Sequence, residues 1–224
     1  MIKAILFDLD NTLIDFMRMK KLCCEAAVSA MVGAGLKISE KKAMKILMGM
    51  YWEYGIEYEY IFQKFLRRVI GKVDYKMLAT GIIAYRKVRA RYLYPYPGVK
   101  PTLRRLKKKG FRLGVVSDAP RMNAWMRLVS MGIADYFDVV VCYEDTRELK
   151  PGKKPFLKAL RALKVKPEEC IMVGDFVERD IAGAKRLGMK TVYARYGSNE
   201  KVKKKKADYE IDRIEGLWGV LEKI

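Results

Sequence analysis

Asp8 and Asp10 end the run Lys3-Ala4-Ile5-Leu6-Phe7-Asp8-Leu9-Asp10-Asn11-Thr12-Leu13. They are the first residues of the chain whose types and spacing suit chemistry. Apolar residues leading straight into acids describe a buried parallel strand whose carboxyl end opens onto a site. At strand spacing the two side chains leave one face, and Asn11-Thr12 supplies the polar turn that follows. In open α/β sheets ligands collect at the carboxyl ends of strands. A carboxylate pair there can act as nucleophile and acid–base or hold a hard cation. The same pair can also cap the next helix and stay solvated. Catalysis by carboxylates needs partners: positive charge, an anion cradle and further ligands.

The chain offers three such clusters, each where a strand is expected to end. Val115-Val116-Ser117-Asp118-Ala119 places a hydroxyl and successive backbone N–H groups where they can cradle an anion at a helix start, although an ordinary N-cap reads the same way. Leu149-Lys150-Pro151 sets a lysine in an extended loop. Met172-Val173-Gly174-Asp175 closes another strand, with Asp180 five residues on where a helix begins. Gly174 permits close backbone approach, and the acids suit either a hard cation or the amino end of a helix.

The elements needed to position these clusters follow from periodicity. Strands are expected at Phe111 to Ser117, Val139 to Cys142, Cys170 to Gly174 and Thr191 to Ala194, alternating with helical patterns over Thr102 to Lys109, Asn123 to Met131, Phe156 to Leu163 and Ile181 to Leu187. Such alternation gives right-handed crossovers and a parallel sheet covered on both faces. Between the first strand and this region lies a different pattern. Met19 to Val32, Glu40 to Met50, Tyr58 to Ile70 and Tyr75 to Tyr92 are helical in period, punctuated by Gly33-Ala34-Gly35 and Gly71. The expected organisation is therefore an α/β core of residues 1–15 and 93–224 with an all-helical insert over 16–92, returned by Tyr94-Pro95-Tyr96-Pro97-Gly98.

Composition narrows the chemistry further. The chain has 224 residues and no histidine, so every mechanism that needs imidazole is excluded. Cys23, Cys24, Cys142 and Cys170 lack paired metal spacing, which argues against structural zinc and a disulfide framework. The apolar run Ala26 to Leu36 is far short of a membrane span, and the amino terminus shows no signal-peptide pattern; a cytoplasmic protein without a membrane partner is expected. The formal net charge is +20, and the insert, with sixteen basic and six acidic residues, carries half of it. Lys203 to Lys206 invite a nucleic-acid reading, but basic residues are spread over nearly every expected helix and no recognition motif appears. Attraction for small anions is the reading preferred, with a monomer or homodimer expected. Abundant lysine beside one Gln and three Asn resembles heat-adapted composition.

Alone, each cluster has an ordinary structural explanation; together they run Asp8-x-Asp10-x-Thr12, Ser117, Lys150-Pro151 and Gly174-Asp175-x4-Asp180. This set resembles the haloacid dehalogenase-like superfamily across all four of its motifs. Gly183-Ala184, Leu187-Gly188-Met189 and Ala207-Asp208-Tyr209-Glu210-Ile211-Asp212 are similar to that superfamily as well. The resemblance implies a Rossmann-like core and identifies the insert with a C1-type helical cap that opens and closes over the site.

The expected chemistry is phosphomonoester hydrolysis through an aspartyl-phosphate. A carboxylate approaching a phosphate dianion is repelled by about 4 kcal/mol for each pair of charges at contact distance in a medium of effective dielectric about 20, so cations are required. Mg²⁺ on Asp8, the backbone carbonyl of Asp10 and Asp175 would supply one. Lys150, with Ser117 and Asp118 in the anion cradle, would hold the phosphoryl oxygens. Asp8 is expected as nucleophile and Asp10 as general acid and then base, with Asp180 and Thr12 in outer positions around the metal. Arg18 and Lys20, just after the first motif, are candidates for the rest of the substrate. Dehalogenases and phosphonate hydrolases of the superfamily lack an acid at the position of Asp10. Sugar-phosphate mutases share every motif and remain the alternative enzyme; a non-catalytic, basic nucleic-acid-binding protein on the same scaffold is the alternative of another class.

Overall fold

The computed structural model describes residues 1–198 and 207–224; the lysine run at 203–206 lies outside them. Backbone contacts divide the chain into two compact units, Met1–Asp15 with Tyr94–Ile224, and Phe16–Leu93.

The first unit begins with β1 (Ala4–Phe7), every residue of which is buried. The second unit follows directly as α1 (Phe16–Gly33), α2 (Glu40–Tyr54), α3 (Ile61–Ile70) and α4 (Tyr75–Tyr92). These helices enclose an apolar core of their own, built on Val28, Met31, Leu47, Met50, Phe65 and Leu66. Local chemistry sets their ends. Ser39 accepts from the Lys42 N–H at the start of α2 and Asp74 from the Met77 N–H at the start of α4, while Gly71 takes φ 76° to stop α3.

The chain then returns to the first unit through α5 (Val99–Lys108), β2 (Arg112–Val116), α6 (Arg121–Ser130), β3 (Val139–Val141), a single turn α7 (Tyr143–Thr146), α8 (Lys153–Leu163), β4 (Cys170–Gly174), α9 (Ala182–Lys185), β5 (Lys190–Ala194), β6 (Tyr209–Ile211) and α10 (Leu217–Leu221). Among the described residues six strands form one parallel sheet in the order β3-β2-β1-β4-β5-β6. The fold is a Rossmann-like α/β architecture with β1 at its centre. Alternation along β1 serves both faces of the sheet. Ala4 and Leu6 join the cluster of Phe156, Ala159, Leu160 and Leu163 from α8, and Phe7 meets Phe137 edge-on at 6.3 Å between ring centroids. No helix among the described residues is long and apolar enough to cross a membrane.

Register fixes where the motifs fall. Phe7 is paired with Val115 on one side and Val173 on the other, so the next residues out, Asp8, Val116 and Gly174, stand level at the carboxyl edge of three adjacent strands. β6 has no counterpart among the strands that periodicity predicts. Asp208 secures it, because one carboxylate oxygen accepts from both the N–H (2.8 Å) and the hydroxyl (2.7 Å) of Thr191 on β5.

Candidate active site

Lys150 is the hub of the carboxyl edge. Its ammonium donates to Asp8 Oδ1 at 2.5 Å and to the carbonyl of Val116 at 2.9 Å, and lies 2.7 Å from Asp180 Oδ1. Its own N–H is received by Asp118 Oδ1 at 2.9 Å, so the loop after β2 fixes the lysine from both ends. Burial by itself would lower the basicity of Lys150, but Asp180, Asp8 and Asp118 hold it well above the ordinary lysine value. It stays a cation.

Asp8, Asp175 and Asp180 are all buried, and one carboxylate oxygen from each lies within 4.8 Å of the others. Three acids against one ammonium leave an excess of negative charge in a dry site. Desolvation first, then the charges of Asp8 and Asp180, push the Asp175 carboxyl up to about 9. Asp180 is likewise raised, chiefly by burial. Thr12 donates to Asp175 Oδ1 at 3.2 Å, which orients that acid from the turn after β1. The donors are all hard oxygens, and the charge they carry is what a divalent cation would neutralise; the residues fit such an ion.

Asp180 reaches this cluster by way of a π-helical turn, Val177–Ile181. Its Oδ2 accepts from the Phe176 N–H at 3.0 Å. A side chain at position 174 would meet it, since a Cβ there would stand 2.5 Å from the Asp180 carboxyl. The glycine before Asp175 is therefore required by Asp180. Ser117 is buried, and its hydroxyl accepts from the Ala119 N–H at 3.2 Å, which opens the loop after β2 into the turn of a cradle.

Asp10 turns elsewhere: its Oδ2 receives Arg127 Nη1 of α6 at 2.9 Å. The structure thus brings together Asp8, Thr12, Lys150, Asp175, Asp180 and Asp118 through direct contacts, with Ser117 on the neighbouring strand end and Asp10 on the same turn. Arg18 and Lys20 both lie on α1 of the helical unit. Arg18 is exposed; Lys20 is buried with its ammonium 4.1 Å from the centre of the Tyr51 ring and 5.5 Å from that of Tyr85.

A profile of the haloacid dehalogenase-like hydrolases matches residues 5–194. The chain belongs to that family. It is 38% identical over 225 residues to the glyceraldehyde 3-phosphate phosphatase of Pyrococcus furiosus, covering 99% of this chain and 94% of that protein. It is 37% identical over 230 residues to the enzyme of the same name from Methanopyrus kandleri, covering 100% and 99%. Among solved structures, a haloacid dehalogenase-type phosphatase from Thermococcus onnurineus superposes with a TM-score of 0.70 at 28% identity, covering 98% of each chain. Full-length identity to named phosphatases makes this chain a phosphatase of the haloacid dehalogenase-like hydrolases, a family whose members generally use a divalent metal.

Two contacts of the site escape a reading of motifs. One is Arg127, a cation on the buried face of α6 beside Ala124 and Leu128; a charge at an apolar position of an i, i+3, i+4 pattern was its signal. The other is the segment after β5, where Tyr196 Oη donates to the carbonyl of Thr12 at 2.7 Å and Gly197 packs against the carbonyl of Asn11. Nothing in the sequence marks that pairing, because it joins residues far apart in the chain.

Proposed function

We propose that this phosphatase hydrolyses a small phosphorylated metabolite with Mg²⁺ through an aspartyl-phosphate on Asp8, and that its substrate is glyceraldehyde 3-phosphate. The observation that carries the mechanism is the position of Asp8, a buried carboxylate at the centre of the sheet edge with Lys150 2.5 Å from it and two further acids around it. The substrate rests on identities of 36% to 38% to proteins of that name along essentially the whole chain.

Asp8, the backbone carbonyl of Asp10 and Asp175 would hold Mg²⁺, whose charge would offset that of the phosphoryl oxygens. The chain's own groups do the rest. Lys150 lowers the repulsion between Asp8 and the incoming dianion, and the Ser117 loop holds equatorial oxygens. A carboxylate oxygen of Asp8 attacks phosphorus; the bond from phosphorus to the ester oxygen breaks, its electron pair leaves with that oxygen, and Asp10 gives the oxygen a proton. Asp10, now a base, takes a proton from the water that releases phosphate from Asp8. Asp180 holds Lys150 in place, and Thr12 holds Asp175. The helical unit, inserted directly after the Asp8–Thr12 motif, is assigned as the cap that selects the leaving group.

The test is turnover of purified protein with Mg²⁺ against a panel of phosphate monoesters, with acid quench to trap protein-bound phosphate. Glyceraldehyde 3-phosphate should lead the panel in kcat/KM, and the label should sit on Asp8. Phosphate release with no trapped label on Asp8, under conditions where the second step is slowed, would remove the covalent mechanism; a different leading substrate would remove only the substrate.

A further inference from the structure

We infer that Arg127 is a positioning residue for the acid–base step, holding the Asp10 carboxyl group in the orientation from which, as acid, it serves the ester oxygen and then, as base, water. The inference rests on the assignment of Asp10 as that acid and base. Arg127 is 2% exposed and is among the largest fully buried side chains of the chain. Its neighbours on the inner face of α6 are Ala124 and Leu128, so α6 spends an interior position on a guanidinium where leucine or methionine would pack. Burying a guanidinium is costly, and exchanging a buried ion pair for apolar residues is often neutral or stabilising. Stability alone therefore does not account for it. What the arginine does is reach across to Asp10, its Nη1 donating to Oδ2 at 2.9 Å.

Arg127 gives the Asp10 side chain a directional partner. The side chain of Asp10 is 23% exposed and stands on a turn rather than within β1, with the isolated bridge from Asp10 to Ile14 closing that turn. A short carboxylate on a turn has several staggered rotamers available, and general acid catalysis rewards only the one that aims at the leaving oxygen. A planar guanidinium, itself locked by packing on a helix, offers a directional donor that selects one orientation. Arg127 remains protonated throughout; both proton transfers belong to Asp10. The geometry also ties the two halves of the reaction together, since α6 leads directly out of the Ser117-Asp118 loop. Movement of the anion cradle and of the acid would share one helix.

The experiment separates leaving groups. Phosphorylation of Asp8 is followed by rapid quench in saturating Mg²⁺, with glyceraldehyde 3-phosphate, whose alkoxide needs a proton, and with p-nitrophenyl phosphate, whose phenolate does not. Arg127→Met should slow the alkyl reaction roughly 10- to 100-fold more than the aryl one. Arg127→Lys should recover most of that difference, and Arg127→Met placed on Asp10→Asn should add nothing to it. Equal slowing of both esters, or a further loss on top of Asp10→Asn, would reduce Arg127 to a packing residue and overturn the inference. If Arg127→Met does not fold, the alkyl-to-aryl ratio of Arg127→Lys decides: a fall of about threefold or more supports the role, and no change refutes it. Should Asp10→Asn itself leave the ratio unaltered, the assignment of Asp10 has failed first, an outcome recognisable without any Arg127 variant.

Discussion

Lys150 stands 2.5 Å from Asp8 with both side chains buried. The pair spans two loops that the sheet brings together, and Asp180 completes it from a third. Removing the lysine should expose what it balances. In Lys150→Ala, Asp8, Asp175 and Asp180 would share a dry site without their cation, a loss worth about 3 to 5 kcal/mol when one partner of a buried pair is deleted. Turnover should fall by roughly 10²-fold or more with the loss of charge on the phosphoryl oxygens. The diagnostic readout is Tm with and without MgCl₂: the variant should gain more from Mg²⁺ than the parent does, because the ion then replaces the missing charge. An equal gain in both would mean that Lys150 is not what keeps these acids together.

Metal removal tests the same cluster from the other side. Dialysis against EDTA should abolish hydrolysis, and Mg²⁺ should restore it. Saturating the site to about 100 times its Kd adds about 2.7 kcal/mol to stability, readable as a rise in Tm. Asp175→Asn should remove most of that rise while the protein stays folded. Full turnover in excess EDTA would rule out the proposed role of the ion.

Much of the geometry of the sheet edge is legible in the sequence. Strand ends could be read at Asp8, Ser117 and Asp175 because apolar runs stop there at charged or small residues, and a buried parallel strand has no other way to meet solvent. What periodicity missed was short or inverted. Three residues of β6 and the single turn of α7 span barely one period each, too little for a repeat to show. On α6 the exposed face carries Met122, Trp125, Met126 and Val129 while Arg127 is buried, so the apolar stripe points away from the charge that matters. Asp180 was legible as an acid, but its placement among the carboxylates depends on the π-helical turn that carries it, which spacing alone does not announce.

The edge of the sheet gives a pH prediction. Asp208 is desolvated, which alone would raise its pKa, but hydrogen bonds from Thr191 and Lys185 outweigh that and hold the carboxyl below the ordinary aspartate value. A carboxyl depressed by folding adds stability at pH values above its unfolded pKa of about 3.9 and loses it as pH falls through the lower folded value. Asp208→Ala should therefore lower Tm at pH 7, where the two hydrogen bonds from Thr191 are lost at about 1 kcal/mol each together with the ion pair to Lys185. The gap between parent and variant should narrow on titration from pH 5 downward. A gap that stayed constant to pH 2.5 would show that ionisation of Asp208 contributes nothing.

The last prediction concerns the turn between Asp10 and Ile14, whose carbonyls are held by the segment after β5 and by Tyr96 ahead of α5. Tyr196 Oη binds the carbonyl of Thr12 at 2.7 Å, the Tyr96 N–H binds that of Leu13 at 2.9 Å, and Gly197 lies flat against that of Asn11. Asn11 takes φ 59° there, a left-handed conformation suited to asparagine. A Cβ on residue 197 would fall 1.5 Å from the Asn11 carbonyl oxygen, and because the obstacle is backbone, the turn itself must move. Gly197→Ala should cost about 1 to 3 kcal/mol of stability as an overpacked contact. A displacement of about 1 Å in a turn that carries Asp10 can cost roughly 10²-fold in rate. Tyr196→Phe removes one hydrogen bond without crowding the turn, so it should cost about 1 kcal/mol and only a small part of the rate. Measured together, Tm and kcat for the two variants distinguish a brace from mere packing. If Gly197→Ala lowers Tm yet keeps the parent kcat, the turn does not need to be held where it is for Asp10 to act.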